Sequence, residues 1–255
     1  MISWCAYCQK FQGEVQPFHK YSFTHGVCSS CAKNIKQFSE LEEKRIKELQ
    51  ILHKKFLVIG RHGDTALIKA VVDEARAKGI TDTNILVGMI APALWEIGDL
   101  WAQNQVTFHD EHRFTFQMRK ILHYLKEQSP LRSVSAKTDI LLFNTEGNNH
   151  TLGIEILDFW LRDNGVNSQM LLWESFTRAD LARKIELTNP KILGISVALP
   201  EQIPITASLV SFLKESLGSR LPKICVGGNA LKTGHSTHIP GVTEIKDFKS
   251  LLDLI

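Results

Sequence analysis

Four short apolar runs, near residues 139–144, 168–173, 191–197 and 223–227, alternate with helical stretches through the second half of the chain. That alternation is the signature of repeated βα units, which bury their strands as an open parallel sheet. Thr243-Glu244-Ile245 supplies a short fifth strand, and Asp247 to Leu254 a last helix. An open parallel sheet binds ligands at its carboxyl edge, so the strand-to-helix junctions are the positions to read for chemistry. At the first junction stands Asn148-Asn149-His150-Thr151-Leu152-Gly153, between the run Asp139-Ile140-Leu141-Leu142-Phe143 and the amphipathic stretch Ile154 to Leu161. A histidine there can project its imidazole from the sheet edge. The third run ends in Ser196, and the fourth leads into Gly227-Gly228. On residue type alone, a strand-end histidine is a polar loop residue and a double glycine an ordinary turn.

Upstream the patterning changes. From Asn34 to about Phe56 a charge-dense run reads as an amphipathic helix with Ile35, Phe38, Leu41, Ile46, Leu49 and Leu52 as its apolar positions. Their spacing is too irregular for a heptad, which favours a linker helix packed on a bundle over a dimerising coiled coil. A second helix begins at the N-cap candidate Asp64 and ends by Gly79. A third starts after Thr81-Asp82, carries Ile85, Met89, Leu94 and Ile97 inward and is expected to kink at Pro92. A fourth runs from about Thr107 to Gln128, and Ser129 to Ser135 has linker composition. Three regions follow: a small module at 1–32, a helical linker and four-helix bundle at 33–130, and an α/β sheet domain at 136–255.

Four of the five cysteines lie within the first 31 residues. Cys5-x-x-Cys8 and Cys28-x-x-Cys31 are separated by nineteen residues, a spacing suited to a tetrahedral four-thiolate zinc site. His25 can orient a ligand or replace one. Redox-active dithiols are the rival reading. A module this short has too little apolar area to fold without metal, and the downstream core is expected to be separate from it. The cysteine-bracketed segment resembles short cysteine modules of bacterial signalling proteins. Cys225 falls in an apolar run and reads as a buried strand residue.

The net charge of +3 over 255 residues gives no charge-based argument for nucleic acid or membrane partners. The amino terminus lacks a signal-peptide pattern, and no uninterrupted apolar run reaches bilayer length, so a cytoplasmic location is expected.

The His150 loop, Ser196 and Gly227-Gly228 fall in the order and approximate spacing of cobalamin-binding Rossmann-like domains, whose loop pattern is Asp-x-His-x-x-Gly. Asn148 stands where that acid usually is. Leu94 to Trp101, followed after nine residues by Glu111-His112, resembles the helical cap of cobalamin photoreceptors of the CarH and AerR type, which carry Trp-x9-Glu-His. Together the matches span roughly residues 60 to 250. The resemblance implies a four-helix-bundle cap followed by a flavodoxin-like sheet that binds adenosylcobalamin or methylcobalamin, with His150 as the lower ligand of cobalt. It makes Asn148 a weaker partner than an acid for the distal imidazole nitrogen. Ser196 then bonds the buried dimethylbenzimidazole, Gly153 permits close helix approach, and Gly227-Gly228 lets backbone pass the nucleotide tail. Trp101 with Phe108 covers the upper axial group, and Glu111 and His112 add polar contacts there. By periodicity alone, Trp95 and Trp101 are core residues and Glu111-His112 is a solvated face.

The function so implied is light-sensing regulation, with cap and sheet domain rearranging to signal to a regulatory protein partner; a homo-oligomer stays open. Ala102 replaces the histidine that follows the tryptophan in CarH, with His109 or His112 as substitutes for it. No helix-turn-helix precedes the cap, so direct DNA binding is not expected. The alternative is a corrinoid methyl-carrier subunit of a methyltransferase system, a holder of the cofactor and not an enzyme. A mutase subunit is disfavoured because no substrate-binding barrel is present.

Overall fold

The computed structural model describes residues 1–33, 40–128 and 137–255. The expected linker from Ser129 to Ser135, and Asn34, Ile35 and Phe38 of the expected linker helix, lie outside the described residues. The chain divides into two compact units, Met1–Pro130 and Leu131–Ile255.

In the first unit, β1 (Ile2–Cys5) lies between β2 (Phe11–Glu14) and β3 (Phe23–Gly26), antiparallel to the former and parallel to the latter. A single helical turn, α1 (Ser29–Ala32), follows. Then come α2 (Glu40–His62), α3 (Thr65–Ala77), α4 (Asp82–Ile85), which passes through a π turn at Leu86–Ile90 into α5 (Ala91–Ala102), and α6 (Phe108–Gln128). These helices pack on one another through apolar stripes: Leu49, Leu52 and Phe56 from α2, Ile68 and Val72 from α3, Ile97 from α5, and Phe114, Met118 and Ile121 from α6 are all buried.

Local chemistry sets the helix starts. The Asp64 carboxylate accepts from the amides of Ala66 and Leu67, and Thr107 and Asp110 exchange reciprocal bonds at the start of α6. Three expectations change. α2 continues past Phe56 to His62 because Gly60 allows the Phe114 ring to lie on the helix; an added Cβ would come within 2.4 Å of it. Leu41, placed in the apolar stripe, is exposed. At Pro92 the chain uses a π turn immediately upstream, with the Ala91 amide bonding back to Leu86, so that the widened turn accommodates a ring that would press on the preceding one.

The small sheet is built into this unit. Trp4 is fully buried, with Phe11 and Phe23 against its ring, and its six-membered edge occupies the space where Gly88 has no side chain. Around it the Phe11 amide donates to Asn84, the Tyr21 hydroxyl to Asp99 at 2.5 Å, and Arg45 to the Tyr7 carbonyl. Helix Asp82–Ala102 is long and apolar enough to cross a bilayer by length and composition, yet 56% of its apolar window is buried in the fold, as in a core helix.

The second unit is a five-stranded parallel sheet. β4 (Ile140–Asn144), α7 (Leu152–Asp163), β5 (Ser168–Leu171), α8 (Arg178–Thr188), β6 (Ile192–Ser196), α9 (Ile203–Leu217), β7 (Lys223–Gly227), α10 (Asn229–Lys232), β8 (Val242–Ile245) and α11 (Phe248–Leu252) follow in order. The strands lie β5-β4-β6-β7-β8, all parallel. This is the Rossmann-like, flavodoxin-type order, whose switch point falls between β4 and β6. Strand residues alternate between faces: Leu141, Phe143, Leu193, Ile195, Ile224 and Val226 share a core with Leu181, Ile185, Leu209 and Leu213 from α8 and α9.

Two glycines of one helix test the Trp4 contact. Gly98 has open space where a Cβ would project, whereas at Gly88 a Cβ would lie 2.3 Å from Trp4. Gly98→Ala should stabilise the first unit by about 0.5–1 kcal/mol through helix propensity. Gly88→Ala should destabilise it by about 1–3 kcal/mol through overpacking. Thermal unfolding of the two variants checks the opposite signs.

Candidate functional site

The loop leaving β4 is fixed by its own amides. Gly147, at φ +77°, turns the chain. The buried Asn148 side chain then accepts from the His150 backbone N–H at 3.0 Å and donates to the Ser196 carbonyl at 3.1 Å. Asn144, at the end of β4, donates from Nδ2 to the carbonyls of Asn148 (2.9 Å) and His150 (3.4 Å). Thr151 bonds Glu155 in the first turn of α7. The result places His150 exposed at the carboxyl edge, next to the switch point, and no partner for its imidazole is found among the described residues.

The sequence led one to expect Asn148 beside the imidazole; in the structure each end of its carboxamide bonds backbone. The glycines differ too. Gly153 has nothing within 4 Å of where a Cβ would be, so no close helix contact demands it. Gly228, at φ +122°, is required because a Cβ would fall 2.2 Å from the Val197 carbonyl oxygen, and one on Gly227 would come within 3.0 Å of the Ile245 carbonyl oxygen. The close approach they permit is between strand ends. Ser196 is at the end of β6, where its carbonyl accepts from both Thr145 and Asn148.

Sequence reading missed Asn144, Glu146 and Arg178. Asn144 is buried, and its Oδ1 has no hydrogen-bond partner among the described residues, a rare condition for a buried polar atom. Arg178, at the start of α8, grips Glu146 at 2.6 Å and so ties the His150 loop to a second helix. An Asn at a strand end directly before a turn was the one available signal.

On the first unit, the turn 103–107 brings Trp101 and the start of α6 together as expected. Trp101 (46% exposed) and Phe108 (52% exposed) have ring centroids 6.4 Å apart, and Phe108 lies 3.8 Å from the His112 ring. Glu111 bonds His112 at 2.8 Å and accepts from Thr115. Trp101 is thus surface and not core. An open concavity of about 360 Å³ adjoins the pair, lined by Gln105, Val106 and Thr107 among others.

At the other end of this unit the parallel pairing of β1 with β3 brings Cys5 opposite Gly26, so both Cys-x-x-Cys turns lie at one end of the sheet. The four thiols lie within 4.8 Å of one another, with Cys8 and Cys28 sulfurs 3.8 Å apart. A tetrahedral zinc with bonds near 2.3 Å requires sulfur separations of about 3.8 Å, so the donor set fits that ion. Burial opposes ionisation of Cys5, but backbone N–H groups of Cys28, Cys8 and Tyr7 outweigh it and hold the thiol at about 6. Cys31 is pushed up to about 12, chiefly by its bond to the Cys28 thiol. His25 is exposed on β3 and is not part of the cluster. Cys225 is buried in β7.

Residues 53–126 match the family model described as a B12 binding domain. No curated protein matches the chain significantly. Among solved structures, the monomethylamine corrinoid protein of Methanosarcina barkeri aligns over 81% of this chain and 99% of its own, at 15% identity and a TM-score of 0.65. A cobalamin-binding protein from Desulfitobacterium hafniense (18% identity, 81% and 98% covered, TM-score 0.43) is a weaker likeness. So is the methanol:cobalamin methyltransferase complex MtaBC of Methanosarcina barkeri (14%, 88% and 86%, 0.40). The first likeness shows a shared fold, and the family match supports cobalamin binding: the chain carries a helical segment that matches a B12 binding domain model and a Rossmann-like sheet with a histidine at its switch point.

Proposed function

We propose that the chain is a corrinoid carrier, a subunit that holds cobalamin and presents its cobalt to partner enzymes of a methyltransferase system in the cytoplasm, without being an enzyme itself. The observation that carries the reading is the presence in one chain of a helical segment that matches a B12 binding domain model and of an exposed His150, with no imidazole partner among the described residues, at the switch point of a 2-1-3-4-5 sheet. The fold likeness to the monomethylamine corrinoid protein supports it. A bound corrinoid supplies a cobalt that accepts and releases an alkyl group. The residues of this chain would hold and orient it: His150 would offer an imidazole nitrogen to the cobalt, and Ser196, Gly153 and Gly227-Gly228 would border the nucleotide tail. Trp101, Phe108, Glu111 and His112, on the first unit, are the residues that the resemblance to a cobalamin cap would assign to contact with the corrinoid.

A second reading, a light-sensing regulator of the CarH and AerR type acting on a regulatory protein or its own assembly state, is favoured by one observation. Trp101, Phe108, Glu111 and His112 do cluster, as the Trp-x9-Glu-His pattern demands. The two readings part on what the bound alkyl group does. Protein loaded with methylcobalamin is expected to pass its methyl group to a thiol acceptor through a corrinoid methyltransferase, and green light is expected to leave its size by gel filtration unchanged. Failure of transfer, together with a light-driven change in size that Trp101→Ala blunts, would put the sensor in the carrier's place.

One zinc ion is assigned to Cys5, Cys8, Cys28 and Cys31, with disulfide exchange as the rival. Because Trp4 precedes Cys5 and plugs the Gly88 turn, loss of the metal should loosen the helix at Asp82–Ala102 as well as residues 1–33. Hydrogen exchange before and after chelation reads this directly. Reduced, untagged protein free of zinc, or exchange confined to the first 33 residues, counts against the assignment or the coupling respectively.

A further inference from the structure

We infer that Asn148 is a positioning residue whose amide hydrogen an acid cannot replace: it fixes the His150 loop by donating to the end of β6. The inference rests on His150 as a cofactor ligand. Asn148 is 3% exposed, so its carboxamide has little access to water and must find its partners in the fold. It finds two. Oδ1 takes the N–H of His150, and Nδ2 gives a hydrogen to the Ser196 carbonyl, which also receives the Thr145 amide at 3.0 Å. Asn144 completes the clamp from the other side, bonding the carbonyls of Asn148 and His150 while its own Oδ1 goes without a partner. The backbone of His150 is thereby tied at its N–H and at its C=O, and the ring is left free.

A carboxylate at 148 keeps the first bond and inverts the second. One of its oxygens would face the Ser196 carbonyl across about the same gap with no proton between two acceptors, and would do so as a buried charge. Asn148 is accordingly no weakened stand-in for the acid of the Asp-x-His pattern. It performs a different task, holding the loop and not the imidazole. Restoring the acid should then loosen the histidine, the opposite of what a stronger imidazole partner would do.

The test uses the full chain, apo and loaded with cobalamin. In the apo protein, Asn148→Asp should raise amide exchange across residues 145–151 while the far-ultraviolet spectrum stays that of the wild type. In the loaded protein, the fraction showing nitrogen coordination from histidine, read by electron paramagnetic resonance of the cob(II)alamin form, should fall by about tenfold, the size of one lost buried hydrogen bond. His150→Ala is the control. If that variant keeps the wild-type nitrogen signal, His150 is not the ligand and the underlying reading fails. If His150→Ala loses the signal but Asn148→Asp keeps or strengthens it, the ligand stands and the inference about Asn148 is overturned. Unchanged exchange across 145–151 in Asn148→Asp overturns it equally, without reference to the cofactor.

Discussion

The parallel pairing of β4 with β6 governs where chemistry can sit in the second unit. It places Asn144 opposite Ser196, and from those two residues radiate the bonds that shape the loop between β4 and α7. The Ser196 carbonyl receives Thr145 and Asn148; Asn144 has no partner at its oxygen among the described residues but grips two loop carbonyls with its nitrogen. The position of His150 is therefore a property of the sheet. A strand order that separated β4 from β6 would leave the same loop sequence without the neighbour it is tied to. This is the physical content of the switch-point rule in this molecule: two adjacent strands with diverging connections supply both the crevice and the groups that rigidify its rim.

In the first unit a single aromatic plays the corresponding part. Trp4 fills the space left by Gly88, one residue before the first cysteine, and its neighbours Phe11, Phe23 and Tyr21 meet the helices through rings and hydrogen bonds. The module is therefore more than a metal clip attached to a linker. Its four-cysteine end and the widened turn before Pro92 share one buried side chain, so order in either depends on order in the other. The same helix ends at Ala102, directly after Trp101 of the aromatic surface.

Much of this was legible in the sequence because periodicity and strand punctuation are local. The five strands, the Asp64 cap, the start of α6 and the two Cys-x-x-Cys turns follow from residues within a few positions of each other. The failures share a cause in contacts distant along the chain. That Trp101 is exposed depends on which helices flank α5; apolar spacing alone assigns it to the core, whereas the cap resemblance assigned it to a surface. That Gly228 serves the Val197 carbonyl, and that Gly60 serves Phe114, depends on pairing partners 31 and 54 residues away. Pattern resemblance placed Asn148 in the right loop but gave it the acid's task, since a pattern records position and not the direction of a hydrogen bond.

The free imidazole bears on which function the site suits. A metal-bound histidine whose second nitrogen is held by a carboxylate is a stronger and better oriented donor than one whose second nitrogen meets only water. In this chain the loop amides fix where the His150 backbone sits, and nothing among the described residues reinforces the ring. A carrier whose cobalt gains and loses an alkyl group in each cycle needs a lower ligand that is correctly placed yet easily released, because a tightly held one would favour a single ligation state. A sensor depends on the reverse, a long-lived resting state whose ligation changes only when the stimulus arrives. Accurate placement of the backbone, with no reinforcement of the ring among the described residues, is the combination that the amide clamp produces, and the proposed carrier role can use it.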